Sequence, residues 1–326
     1  TSFRRQDRFD NLHPCYAGDV GLNLSPAMVE RVRAADLILA VGTRLSEASS
    51  QGYTLLDVPR PRQRLIHVHP GAEELGRVYQ ADLPICAAMP AFAAAARALP
   101  PIESPPWAEW TAAAHCDYLE GLAPPVIPGA LQMGEVMAHL RQILPPEAIL
   151  TNGAGNYSAW PNRFYPYRRF ATQLGPTSGS MGYGIPAAVA AKLLHPQRPV
   201  IAFAGDGCFL MTGQELATAV QHGADIVVLV VNNGMYGTIR MHQERTYPGR
   251  SVGTNLANPD FAALARAYGA HGETVTRTEE FAPAFERALH AGRPALIDLR
   301  IDPEAITPRM SLSQIRDSAL AAAGRS

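Results

Sequence analysis

The sequence predicts an α/β protein built from two Rossmann-like parallel-sheet domains, the second of them doubly wound. Three observations carry that expectation. Short, uniformly apolar runs such as Leu37-Ile38-Leu39-Ala40-Val41 and Ile226-Val227-Val228-Leu229-Val230-Val231 have the pattern of parallel strands covered on both faces. These runs alternate with helix-length segments, the order of βαβ units. A stretch over 100–129, with Pro100-Pro101, Pro105-Pro106, Pro124-Pro125 and Pro128-Gly129, interrupts the alternation and reads as a linker between domains 1–120 and 121–326.

In the first domain, Ser25-Pro26 opens a helix to about 34, with serine at the cap and proline in the first turn. The strand at 37–41 ends at Gly42, which permits a sharp turn. Leu65-Ile66-His67-Val68 is a second strand, followed by a helix expected over about 72–78. The linker contains one amphipathic stretch, 107–119. The second domain then reads as a helix at 133–144, a strand at 148–151, a glycine-rich segment at 175–184 and a helix at 186–194. A strand at 200–204 runs into Gly205-Asp206-Gly207, and Thr212-Gly213-Gln214-Glu215 has the pattern of a capping box opening the next helix. The strand at 226–231 runs into Asn232-Asn233-Gly234. Asn258-Pro259 is expected to cap a helix ending near Gly269, and a helix at 280–290 with a strand at 295–301 completes the domain.

Composition narrows the function. With 326 residues, 28 basic and 29 acidic side chains and a net charge of −1, nothing suggests a nucleic-acid partner or an anionic membrane surface. Arginine supplies all the basic residues except Lys192. No run approaches a membrane span, and the amino-terminal residues have neither a signal-peptide core nor an initiator methionine, so a trimmed chain is one expectation. Cys15, Cys86, Cys116 and Cys208 are far apart, which disfavours zinc ribbons and disulfide scaffolds and fits reduced thiols in a cytoplasmic protein. His67 and His69 share one face of a strand, but without a nearby carboxylate or cysteine in sequence a metal pair is the minority reading.

The chemistry concentrates at Asp206 and Asn233. Both follow strands joined by one expected helical crossover, so both strand ends open on the same edge of the sheet. On adjacent strands one cation could contact both side chains. A single carboxylate and a single amide oxygen are hard donors that suit Mg²⁺ or Ca²⁺, and Mg²⁺ commonly completes its shell with phosphate oxygens and water. A phosphorylated ligand, most simply a diphosphate, follows. Gly205 and Gly207 let backbone N–H groups approach it.

Gly205-Asp206-Gly207, residues 208–231 and Asn232-Asn233 together resemble the thiamine-diphosphate (ThDP) binding motif, and 177–188 resembles the preceding segment of the acetolactate synthase-like family. Gly153-Ala154-Gly155-Asn156-Tyr157 is similar, less tightly, to the family's earlier diphosphate loop. The likeness spans nearly the whole chain, with 1–120 resembling the central domain and 121–326 the pyrophosphate-binding domain. It implies ThDP and Mg²⁺, held by Asp206, the Asn233 amide oxygen and the Met235 carbonyl. It also implies cofactor contacts from Asn156, Tyr157, Gly179, Ser180, Gly205, Gly207, Cys208, Tyr236 and Gly237. Met181 would be the apolar wedge that bends the cofactor.

The resemblance implies decarboxylation of a 2-keto acid and transfer of the remaining fragment to a proton or a second carbonyl. The cofactor-activating glutamate of the family lies in a pyrimidine-binding domain to which no part of 1–326 is similar. The chain alone is therefore expected to be inactive, its glutamate coming from another segment or chain, in a homodimer or homotetramer. Dedicated acetolactate synthases carry tryptophan near the position of His242, which leaves room for other lyases, of 2-hydroxyacyl or benzoylformate type. Gly42-Thr43-Arg44 resembles the family's flavin loop, yet His67-Val68-His69-Pro70 replaces its acidic pattern, and the balance stands against bound FAD. Rivals are a non-catalytic ThDP-binding regulatory fragment and a dinucleotide-binding electron-transfer subunit; no GxGxxG follows the first strand, against the latter.

Overall fold

The computed structural model describes residues 1–22 and 24–324. The chain divides into two compact units between Gly121 and Leu122. Every strand pairing in both is parallel. Among the described residues no helix is long and apolar enough to cross a membrane.

The first unit contains α1 (Pro26–Ala34), β1 (Leu37–Val41), β2 (Arg64–His69), β3 (Leu83–Cys86), α2 (Met89–Arg97) and α3 (Ala108–Glu120), with the strands in the order β1-β2-β3. Ser25 caps α1 by accepting from the Met28 N–H at 3.2 Å. Leu65 and Val68 of the central strand are fully buried, with Leu24, Ala40, Leu55 and Tyr79 in the same unit's core. Two expectations need correction. β1 is not covered on both faces: it is an edge strand, and Leu37, Leu39 and Val41 are exposed. Instead of a helix over 72–78 there is a single tight turn, Ala72–Glu74, because Gly76 takes a φ of +79° and breaks the helical path.

The second unit contains α4 (Met133–Ile143), β4 (Ile149–Asn152), α5 (Ala159–Phe164), β5 (Gln173–Leu174), α6 (Gly184–Leu194) and β6 (Val200–Gly205). It continues through α7 (Asp206–Thr212), α8 (Glu215–Gln221), β7 (Val227–Asn232), α9 (Gly237–Thr246) and α10 (Phe261–Ala267). β8 (His271–Val275), α11 (Thr278–Leu289), β9 (Ala295–Arg300) and α12 (Leu312–Ala323) complete it. The sheet order is β5-β4-β6-β7-β9-β8. Alternate side chains of each strand enter opposite cores: Ile201, Phe203, Leu229 and Val231 join Trp160, Phe281 and Phe285 on one face. Ala202, Ala204, Val228 and Val230 join Phe209, Phe261 and Leu216 on the other. Double coverage explains why these strands are apolar without alternation. The chain runs outward from β4 to β5 and then returns across it to β6, so a switch point, with the crevice that accompanies it, falls between β4 and β6.

Two local readings fail here. The crossover from β6 to β7 holds two short helices, and no capping box forms at Thr212: its hydroxyl donates instead to the Gly182 carbonyl at 2.7 Å. Asn258 does not cap α10. Asp260 does, accepting from the Ala263 N–H at 2.9 Å, which frees the Asn258 side chain for the site described next.

Candidate functional site

Asp206 is the first residue of α7 and Asn233 the first after β7. β6 and β7 are hydrogen-bonded neighbours with Gly205 in register with Val231, so the two side chains leave one edge of the sheet. Asp206 is only 2% exposed. Its Oδ1 accepts from the Gly207 N–H at 2.9 Å and its Oδ2 from Asn258 Nδ2 at 2.8 Å. Burial holds the Asp206 carboxyl above its ordinary range, opposed by donation from Asn258 and from the backbone N–H groups of Gly207, Gly234 and Met235. Asn233 Oδ1 accepts from the Met235 N–H at 3.3 Å across Gly234, whose φ of +70° permits the turn.

These residues border a cavity of about 220 Å³. The loop after β4 contributes Gly155, Asn156 and Tyr157, and the loop before α6 contributes Gly179 and Met181. Gly205, Asp206, Gly207 and Cys208 come from the β6–α7 junction, and Asn233, Met235, Tyr236 and Gly237 from the β7–α9 junction. Twelve of the thirteen residues singled out from sequence thus meet in one cavity. Ser180 does not: it sits on the exposed turn, and its hydroxyl pairs with that of Ser178 at 2.8 Å. Gly205 and Gly207 are tightly enclosed. A Cβ on Gly207 would lie 2.5 Å from Tyr236 Cε1, and one on Gly205 would lie 2.8 Å from Tyr157 Cδ1.

Comparison with known proteins agrees with this geometry. The family profile described as "Thiamine pyrophosphate enzyme, C-terminal TPP binding domain" matches residues 153–299, and "Thiamine pyrophosphate enzyme, central domain" matches residues 1–96. The acetolactate synthase large subunit of Corynebacterium glutamicum is 32% identical over 316 residues, 91% of this chain and 49% of that protein. The acetolactate synthase of Mycobacterium leprae is 32% identical over 338 residues, 97% and 52% respectively. The sulfoacetaldehyde acetyltransferase of Castellaniella defragrans is 27% identical over 317 residues, 89% and 53%. This chain belongs to the ThDP-dependent enzymes of the acetolactate synthase-like family. It spans about half the length of the curated relatives it matches.

The cavity suits the family's cofactor in its donor set. Asp206 is the only charged side chain lining it among the described residues, the other polar groups being amides, hydroxyls and backbone. No group of three or more His, Cys, Asp or Glu side chains arranged to hold a metal is found among them either, so a cation here would rely on one carboxylate, an amide oxygen, a carbonyl and the ligand itself. Gly179, with a φ of +74° and no atom within 4 Å of an added Cβ, leaves its backbone open beside Met181.

Several contributors to this cavity carried no sequence signal. Thr238 Oγ1 accepts from the Asn156 N–H at 2.9 Å and donates to Asn156 Oδ1 at 3.0 Å, locking the β4 loop to α9. Trp160, Ile239 and Ile306 form apolar wall. A threonine 82 positions from its partner has no local pattern; only the closeness of Thr238 to the Asn233 turn could have drawn attention to it. His242 lies exposed on α9 and does not line the cavity. In the first unit, His67 Nε2 bonds the Thr43 carbonyl at 2.8 Å and His69 Nδ1 bonds Gly71, so both histidines hold turns.

Proposed function

We propose that this chain forms the Mg²⁺- and diphosphate-binding half of a ThDP-dependent enzyme that decarboxylates a 2-keto acid and passes the fragment to a proton or a second carbonyl. The observation that carries the reading is the convergence of Asp206 and Asn233 at adjacent strand ends in a cavity also bordered by the Asn156 loop and Met181. Asp206, the Asn233 amide oxygen and the Met235 carbonyl would hold the cation. Gly207, Cys208, Asn156 and Tyr157 would contact the diphosphate, and Tyr236, Gly237 and Gly205 would wall it. Bound there, ThDP would supply a carbanion, its acidic carbon having lost a proton, for addition to the keto group, and an electron sink for the pair left behind as carbon dioxide departs. The protein's work is to hold the cation that neutralises the diphosphate, expose the Gly179 carbonyl to the pyrimidine amino group, and exclude water with Met181, Trp160 and Ile306.

In this reading residues 1–120 are the central domain and 121–326 the pyrophosphate-binding domain. The activating glutamate would come from a pyrimidine-binding domain on another segment or chain, as the family resemblance implies, within a homodimer or homotetramer. The exposed His242, where dedicated acetolactate synthases carry tryptophan, favours a second reading within the same chemistry: a lyase or transferase with a different acceptor.

Calorimetry tests the core of the reading. ThDP should bind in a Mg²⁺-dependent manner, and Asp206→Ala should abolish that binding, because a buried diphosphate needs its counter-charge. Unaltered binding in Asp206→Ala sinks the metal site. Keto-acid turnover by the 326-residue chain alone would sink the assignment of the glutamate to another segment.

A further inference from the structure

The acceptors and donors around Asp206 form a chain with one consistent direction. Asp298 is fully buried on β9, and its Oδ1 accepts from Asn232 Nδ2 at 2.9 Å, while Arg300 Nε donates to its Oδ2 at 3.0 Å. A carboxylate is acceptor-only, so it dictates which end of the Asn232 amide faces it. The Asn232 oxygen is thereby turned away from β9, where it accepts from Asn258 Nδ2 at 3.0 Å and from the Gly234 N–H at 3.2 Å. Asn258 consequently faces two acceptors, Asn232 Oδ1 and Asp206 Oδ2, and its one NH₂ group serves both. Flipping the Asn258 amide would set oxygen against two oxygens. The remaining atom, Asn258 Oδ1, is buried and has no hydrogen-bond partner among the described residues.

We propose that Asn258 is a positioning residue for the divalent-cation site: it fixes the Asp206 carboxylate through one amide proton, in an orientation set by Asp298 through Asn232. This inference rests on the Mg²⁺- and ThDP-binding reading above. It adds that the site's geometry is imposed from β9, two strands away from the Asp206 strand in the sheet order β6-β7-β9. Asn258 is not among the residues that line the cavity. Its role is to hold a ligand residue in place, as outer-shell partners of metal sites do. Asn258 is available only because Asp260 takes the capping of α10.

The test titrates MgCl₂ into the full chain at saturating ThDP, and ThDP at saturating MgCl₂, by calorimetry and by Trp160 fluorescence. Asn258→Ala removes the amide; Asn258→Leu removes it while keeping most of the volume; Asn258→Ser keeps one donor. Both Asn258→Ala and Asn258→Leu should raise the half-saturating Mg²⁺ concentration about tenfold or more, the usual effect of losing an outer-shell partner. ThDP affinity at saturating Mg²⁺ should stay near wild type even though loss of a buried donor lowers the melting temperature of the apoprotein, and Asn258→Ser should fall between. If wild type binds and Asp206→Ala does not, but Asn258→Ala and Asn258→Leu take Mg²⁺ at the wild-type concentration, the positioning role is wrong while the site stands. Parallel losses in apoprotein melting and in both titrations would make Asn258 a scaffold residue and also overturn the proposal. Absence of Mg²⁺-dependent ThDP binding in wild type overturns the functional reading, and this inference with it.

Discussion

Cys208 illustrates how one side chain ties several segments together at the site. Its sulfur accepts from the Tyr157 hydroxyl at 3.1 Å and from the Gly182 N–H at 3.0 Å. The first partner belongs to the loop after β4, and the second sits beside Met181, so the thiol links the two walls that flank Asp206. Removing the acceptor that serves the buried Gly182 N–H leaves that donor unsatisfied, which typically destabilises by about 1–3 kcal/mol. Cys208→Ala should therefore lower the urea midpoint by that order, and Cys208→Ser, which retains an acceptor, should lower it less. Equal stability of the alanine variant would show that the donors find other partners. Thiol labelling provides an independent check: Cys15, Cys86 and Cys116 are exposed and should react in the native protein, whereas buried Cys208 should react only on unfolding. At this scale the sequence told of residue types at strand ends but not of their partners. Asp206 and Asn233 were legible because a parallel crossover brings strand ends together whatever the side chains. The partners of Cys208 stand 51 and 26 residues away, and nothing local marks them.

The elements of the second unit were legible where burial on both faces removes polar residues, as in β6 and β7, whose cores alternate side by side. They were illegible where an element is short or polar. β5 has two residues, and α9 buries only Met241 and Glu244 of its ten. Close packing between β8 and α10 yields one prediction. A Cβ on Gly272 would run into the Ala262 carbonyl oxygen, a backbone atom that no rotamer change can move. Gly272→Ala should force the edge strand away from the helix and destabilise by about 1–3 kcal/mol or more, as overpacking does. Wild-type stability in chemical denaturation would contradict it. A second concerns α4 and α11, where His139 packs edge-on against Phe281 and Phe285. Burial lowers its pKa below the ordinary 6.5. The unfolded chain therefore takes up this proton at a higher pH than the folded one. The stability that neutral His139 allows is fully present above about pH 6.5 and is lost as pH falls from there through the depressed folded value. Between pH 7.5 and 5.5, wild type should lose more unfolding free energy than His139→Leu. Identical pH slopes would show that the imidazole titrates normally.

For the molecule as a whole, the division between Gly121 and Leu122 separates the candidate chemistry from the first parallel sheet. Every residue lining the cavity lies between Ala154 and Ile306, and the positioning chain of Asp298, Asn232 and Asn258 lies there too. The second unit has its own sheet and a core on each face, so it has what an independently folding domain requires. A protein comprising 122–326 should fold alone and bind ThDP with the Mg²⁺ dependence of the full chain. A ligand that binds only the folded state raises stability by an amount set by its concentration relative to its dissociation constant. ThDP with Mg²⁺ should therefore raise the melting temperature of 122–326 as far as it raises the corresponding transition in 1–326. Tryptophan reports the two units separately, since Trp107 and Trp110 fall in the first and Trp160 lines the cavity in the second. Fluorescence from Trp160 should respond to ThDP in both proteins. If 122–326 is folded by circular dichroism yet binds ThDP far more weakly, the first unit contributes to the site, and the assignment of cofactor binding to the second unit alone is wrong.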